Sequence, residues 1–552
     1  MGAEQKKSNS FLIQGVILAA AGIVTRLIGI AYRIPLNNIL GDEGQGFYGC
    51  AFSIYNIALL LTSYSLPLAV SKLVSARVSQ KQYRNAMRIF KGALSFALVV
   101  GALVAVLIFF GADFIADKVM SVKLSSYALR VLAPGLFIVA VMGVIRGFFQ
   151  GMGTMVPTAA SQIIEQIVNA IVSIIGASYL IKMGKEVAEA KTNPSLPFAY
   201  GSAGGTLGTV TGALIGLVFL LVLFKAYYPS MKRKSARDKG HELESYGEVY
   251  KILLLTIAPV ILSTAIYNIS ETLDQGIFGN IMLAQGHSDK EIAELLGMFT
   301  GKYNTLINIP LAVANALSAS LIPSLTATVA SGTRKQVNEK INMVIRFSMV
   351  IAIPCAVGFL VLGDPILDLL YNGNIDIPTK MLQLGAITVV FYCLSTVTNA
   401  ILQGVNKMTT PVKHGAISLA VHLAALFVML VVFKWGIYAV VAGNIVFSLS
   451  MCVLNSLALK RATKYKQEIT KTFWIPCKSA ILMGVITLGS YLLIVKLLPS
   501  AIATIFALVI AVAVYGVALI KFGALSPEEV QTLPKGNSIY RLFIKLRLMK
   551  EV

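Results

Sequence analysis

The chain has 552 residues, 56% hydrophobic and only 13% charged, with a mean hydropathy of +0.77. Apolar runs of about 20 residues, the helical length that crosses a bilayer, recur along the whole sequence, and they lack the period-two alternation of a membrane β-barrel. The formal net charge of +22 is concentrated between those runs, where it orients helices and meets anionic lipid, so nucleic acid is not an expected partner.

In chain order, the polar leader MGAEQKKSNS precedes a long apolar run with no evident cleavage site, so the first helix is expected to act as an uncleaved anchor. Fourteen spans are expected: 11–33, 47–71, 86–111, 125–149, 156–181, 198–226, 251–277, 297–327, 340–363, 378–403, 411–433, 437–459, 474–497 and 500–521. Loop charge supports this alternation. Lys and Arg crowd the 72–91, 225–251, 334–346 and 460–471 loops, whereas Asp42, Glu43, Glu291, Glu294, Asp364, Asp368 and Asp376 fall on the other side. By the positive-inside rule both termini are cytoplasmic. The tail SIYRLFIKLRLMK (538–550) has the pattern of a basic amphipathic helix lying on the inner surface. Cys50, Cys355, Cys393, Cys452 and Cys477 have no metal or redox spacing and read as small core residues.

The sequence repeats itself. RGFFQGMGTMVP (146–157) and NAILQGVNKMTTP (399–411) pair Gln150 with Gln403, and LPLAVSKLVSA (66–76) matches IPLAVANALSA (309–319), at offsets of 253 and 243. Two matches in the same order imply a duplication. Six spans return a chain to its starting side, so the two copies are parallel and related by a two-fold axis along the membrane normal. The fold class expected is an all-α polytopic membrane protein: an N-terminal lobe (1–228), a basic cytoplasmic linker (229–250), a C-terminal lobe (251–460), two extra helices (474–521) and a basic tail (522–552). A binding cavity is expected between the lobes, lined by spans 1, 2, 7 and 8. In the two turns, Gly151 and Gly404 are expected to permit chain reversal and Pro157 and Pro411 to open the next helix, while Arg146 follows the positive-inside rule.

Ionisable residues inside spans are costly and usually face a bundle interior or cavity. Arg26 lies in the outer half of span 1, Arg33 at its end, and Lys302 enters span 8 from outside. Together they suit a diphosphate head, because Arg donates two parallel hydrogen bonds and Lys supplies a point charge; an internal ion pair or snorkelling to the interface is the plainer role. Glu271 and Asp274, one turn apart in span 7, are candidates for a coupling cation, a proton, or pairing with Arg33 or Lys302. Glu165 either holds helices together or carries a proton. Arg130 is a further charge, in span 4. His414 and His422 read as packed residues.

The stretch RGFFQGMGTMVPTAASQIIEQ (146–166), with TRLIGIAYRIPL…GFYG (25–49) and the run ending the second helix, resembles the stage V sporulation protein B and MurJ-type branch of the multidrug/oligosaccharidyl-lipid/polysaccharide exporter superfamily, as found in Gram-positive bacteria. The resemblance covers nearly the whole chain. It implies a non-enzymatic flippase in the plasma membrane that exports lipid-linked precursors, lipid II above all; alternating access between the two repeated lobes, by a monomer, is the mechanism expected. It implies a substrate-binding role for Arg26, and a lateral groove for the polyprenyl tail at spans 13 and 14. No bound cofactor is expected; membrane potential, sodium or protons are the candidate driving forces. A cation-coupled drug exporter shares the architecture but prefers cationic substrates and usually has twelve spans. A polytopic glycosyltransferase needs carboxylates in large outer loops, which are absent here. A pure scaffold leaves the in-span charges unexplained.

Overall fold

The computed structural model describes residues 2–60, 62, 66–238 and 242–523; the amphipathic tail lies outside them. Fifteen α-helices and no strands occur among the described residues: α1 (Gly2–Leu59), α2 (Leu66–Ser79), α3 (Tyr83–Phe114), α4 (Ser126–Gly151), α5 (Val156–Lys191), α6 (Leu196–Arg237), α7 (Tyr246–Ala284), α8 (Asp289–Gly297), α9 (Asn304–Ser331), α10 (Arg334–Leu370), α11 (Asp376–Gly404), α12 (Thr409–Val431), α13 (Ile437–Thr463), α14 (Ile475–Ile494) and α15 (Ser500–Lys521). Ten of these helices are long and apolar enough to cross a membrane, and they correspond to expected spans 3–6 and 9–14. Spans 1, 2, 7 and 8 fall on α1 with α2, on α7 and on α9.

The chain divides into two compact units, residues 1–301 and 302–552. The sequence repeat suggests a break at 229–250, but that linker is largely ordered on the first unit. Helix α6 continues through Pro229 to Arg237. Beyond it, the Arg84 N–H donates to Asp238 (3.0 Å), Asn85 Nδ2 donates to the Glu242 carbonyl (3.0 Å), and Arg77 pairs with Glu244. Three sequence-local capping boxes set helix starts: Ser245 with Glu248 on α7, Ser288 with Glu291 on α8, and Thr333 with Gln336 on α10.

In the first unit, the expected loop between spans 1 and 2 is a single break in α1 at Gly41, whose φ of +66° is open to glycine at little steric cost. The acidic residue beside it, Glu43, is buried at 5% exposure. Burial pushes its carboxyl above the usual range, against opposing contributions from a Ser195 hydrogen bond and nearby Lys290. A raised folded-state pKa means that the stability Glu43 contributes is present at low pH and lost as pH rises through that pKa. Glu43→Gln is therefore expected to melt above the parent at pH 8, with the gap closing as pH falls. A gap that widens on acidification would show the reverse electrostatics.

The apolar core of this unit joins α2, α3, α4, α6 and α7. Its centre is an aromatic group in which Phe90 lies 4.9 Å from Phe148 and 4.8 Å from Phe224, centroid to centroid. In the second unit α11 packs on α9, α10 and α13. The last two helices lean on α10: Tyr515 Oη donates to the Val350 carbonyl at 2.8 Å, and α14 approaches at Gly484, against Val357.

Candidate functional site

The candidate site is built on α1. Tyr32 is buried and accepts from Asn169 Nδ2 of α5 at 3.3 Å, and Leu36 and Leu40 continue that packed face. One residue on, roughly 100° round the helix, Arg33 is exposed. Arg26 precedes Arg33 by seven residues, two turns, so both guanidiniums stand on one exposed stripe of α1. Arg33 lies within coulombic reach of Glu271 on α7 and beside Tyr32 and Tyr48. Glu271 is itself exposed, whereas Asp274 is 2% exposed and Gln275 is fully buried. The two carboxylates were expected to share a helix face. The structure puts the edge of the packed face between them, and Thr272, which donates to the Ser53 carbonyl at 3.2 Å, belongs to that packed side.

Lys302 is not an exposed cation. It is 2% exposed, and its Nζ donates to the Asn374 carbonyl at 2.8 Å within the second unit. A carbonyl-capped ammonium ties span 8 to the turn before α11.

The repeated turns carry a correction. Gly151 and Gly404 do not make the chain reversals: both lie in the last turn of a helix, and the left-handed residues are Gly153 (φ +85°) and Asn406 (φ +61°). Gly151 instead permits close helix packing. A Cβ there would sit 2.7 Å from Val74 Cβ and 2.9 Å from the Ser71 carbonyl of α2. Gly404 does the same on α9, where a Cβ would sit 3.0 Å from Leu325 Cδ2 and its carbonyl accepts from Thr326 Oγ1 at 3.3 Å. Each half thus seats its glutamine-glycine turn on its own Pro-Leu-Ala-Val helix. Pro157 falls in the first turn of α5 and Pro411 in that of α12, as expected. Gln150 Nε2 approaches Thr158 Oγ1 at 3.4 Å, and the Met155 N–H donates to Gln14 Oε1 at 2.9 Å, so the N-terminal part of α1 is tied to the first turn.

Arg146 and Glu165 form a partly buried ion pair at 2.7 Å, with Arg146 Nε also donating to Ser161 Oγ at 3.0 Å. This joins α4 to α5. In the 253-residue register Asn399 takes the place of Arg146, and there the cluster is built from amides, a hydroxyl and a histidine ring. Asn455 Nδ2 donates to Asn399 Oδ1 (2.8 Å) and Thr398 Oγ1 (3.1 Å), and Asn455 Oδ1 meets His414 Nδ1 at 2.8 Å. The sequence reading missed this network, although the register points to it. His422 is buried against Gly443 and Phe447, and Arg130 pairs with Asp113. Removing Glu165 strands a desolvated guanidinium, so Glu165→Ala is expected to cost about 2 kcal/mol, discounted from the 3–5 typical of a fully buried pair. Glu165→Gln is expected to cost less. Detergent melting checks both, and full stability with lost export would move Glu165 from helix pairing to proton transfer.

The family described as Polysaccharide biosynthesis protein matches residues 12–329, and MatE matches 300–428. Lipid II flippase MurJ of Bacillus subtilis (strain 168) is 28% identical over 430 residues, covering 75% of this chain and 76% of that protein. Stage V sporulation protein B of the same organism is 25% identical over 465 residues, covering 83% and 86%. Among solved structures, lipid II flippase MurJ in an inward closed conformation aligns with a TM-score of 0.66 at 13% identity, covering 92% of this chain and 99% of that one. An inward-facing multidrug resistance MATE family transporter of the MOP superfamily aligns at 0.64 and 16%, covering 80% and 96%. At such identities the structures establish the fold: helical, membrane-spanning and two-lobed. With more than half its length matched, the chain belongs to the polysaccharide biosynthesis protein family, and its relatives are MurJ- and SpoVB-type members of the MOP superfamily.

Proposed function

We propose that the chain is a flippase carrying a polyprenyl-diphosphate-linked saccharide, lipid II foremost, from the inner to the outer leaflet of a bacterial plasma membrane. The observation that carries this reading is the exposed Arg26–Arg33 stripe on α1 with Glu271 opposite Arg33. Two guanidiniums suit a diphosphate better than they suit the cationic substrates of drug exporters. Glu271 serves as the counter-charge while the site is empty, so the incoming head displaces a carboxylate from Arg33 and the arginine is never left uncompensated. The arginines stay with the protein, so they lower the barrier to the anion without travelling with it. The inside-negative potential then favours outward movement without a dedicated ion site. The relatives named above support lipid-linked cargo.

A second cargo, a teichoic, capsular or spore-cortex unit on the same lipid carrier, is favoured by the wider alignment with the sporulation protein, 83% of the chain against 75%. Depleting a bacterium of its own lipid II flippases while expressing this chain separates the two. Sustained growth is expected. Lysis, with the protein present in the membrane, would discard lipid II as cargo.

A further inference from the structure

We propose that the second unit carries a separate site for an anionic phospholipid, at the end of the helix bundle that the basic loops mark as cytoplasmic. A cavity of about 460 Å³ lies between the α11–α12 connection and the last turns of α13. Its polar wall is Lys407, Thr410, His414 and Arg461, and its apolar wall includes Leu454 and Leu457. No carboxylate lines it. The acid nearest along the chain, Glu468, is engaged with Arg346 (3.6 Å) and Thr472 (2.8 Å). The cavity shares no residue with the Arg26–Arg33 stripe, and the inference holds whatever the chain exports.

The wall is held in place from behind. Asn406, in the left-handed conformation, turns the chain so that the Lys407 N–H donates to the Leu402 carbonyl at 2.8 Å. The Asn455 amide nitrogen donates to Thr398 and Asn399, so its oxygen accepts and His414 Nδ1 carries the proton. That leaves His414 Nε2 as the ring's remaining polar site on the cavity wall. Two permanent cations, a hydroxyl and a histidine make a phosphate-binding wall. The apolar side fixes the ligand as an amphiphile. Leu457, Val453 and Leu449 are all exposed on α13 at four-residue spacing, so they form a stripe leading from the cavity along the helix. A phosphate head in the cavity and an acyl chain on that stripe fit a phospholipid of the inner leaflet, where anionic lipids concentrate.

The test is native mass spectrometry of the full chain, delipidated and then titrated with phosphatidylglycerol, phosphatidylcholine, undecaprenyl phosphate or inorganic pyrophosphate. Phosphatidylglycerol is expected to be retained over phosphatidylcholine. Lys407→Gln with Arg461→Gln is expected to weaken that retention roughly ten-fold or more, the scale of losing one or two charge-assisted contacts. Lys413→Gln with Lys460→Gln removes equal charge from exposed neighbours outside the wall and is expected to leave retention intact. Arg461→Gln alone repeats the test without touching the Lys407 turn, should the double variant melt early. Equal losses in both double variants, or equal retention of the two phospholipids, would overturn the site in favour of general surface attraction. Preference for undecaprenyl phosphate would reassign it to the carrier lipid, and pyrophosphate binding as well as phosphatidylglycerol would make it a free-anion site; either result overturns the phospholipid assignment.

Discussion

Arg26→Ala is expected to abolish export, and Arg26→Lys to keep part of it. Arg26 is exposed on α1, so its loss opens no hole in the core, and a melting curve separates any folding loss from lost export. What it removes is one of two forks on the stripe proposed to receive the diphosphate; lysine restores the charge but not the paired hydrogen bonds. The head carries about two negative charges. For the proposed cargo an inside-negative potential would contribute about 2.3 kcal/mol per charge per 100 mV, roughly 4–5 kcal/mol in all, so export is expected to follow the potential. The assay is lipid II exposed on the outer face of vesicles, with the potential clamped by potassium and valinomycin. Glu271→Gln should be milder than Arg26→Ala if Glu271 is only the counter-charge of Arg33. Export that ignores the potential but stops without sodium, or on collapse of the pH gradient alone, would instead make Glu271 and Asp274 the coupling centre.

Gly208→Val is expected to prevent folding, and Gly208→Ala to cost about 1–3 kcal/mol, the usual range for overpacking. Glycines 204, 208 and 212 recur every four residues on α6 and lie against α5. A Cβ at 204 would stand 2.2 Å from the Gly176 carbonyl oxygen, one at 208 would stand 2.1 Å from Ser173 Oγ and 2.5 Å from the Asn169 oxygen, and one at 212 would stand 2.5 Å from the Glu165 oxygen. These are mostly backbone atoms that no rotamer change can move aside, as expected where two membrane helices approach through small residues. Disruption at 208 also reaches the buried Ser173–Asn169–Tyr32 contacts, and so the seating of α1 beneath the arginine stripe. Gly489→Ala and Gly516→Ala, with nothing within 4 Å, are the neutral controls. Melting in detergent reads the series, and a Gly208→Val protein as stable as its parent would contradict the tight crossing.

Much of the architecture is local and therefore legible in the residues alone. Apolar run length, basic loops and Pro at helix starts each act within about 20 residues. So do the capping boxes, as in the Ser245–Glu248 pair, which satisfies its own helix end. The duplication was visible because both copies kept the same turn chemistry. Tertiary structure decided what each polar residue meets. Gly151 looked like a turn residue, yet its place is set by Val74, 77 positions earlier, while the turn itself belongs to Gly153. Lys302 looked like a cavity cation, yet its ammonium ends on the carbonyl of Asn374, 72 positions later. Glu165 found Arg146 on the neighbouring helix, and Glu271, from the far end of the same unit, lies within coulombic reach of Arg33. Hydropathy reports whether a residue can enter the membrane; which neighbour compensates its charge depends on how helices distant in sequence cross, and only the packed fold decides that.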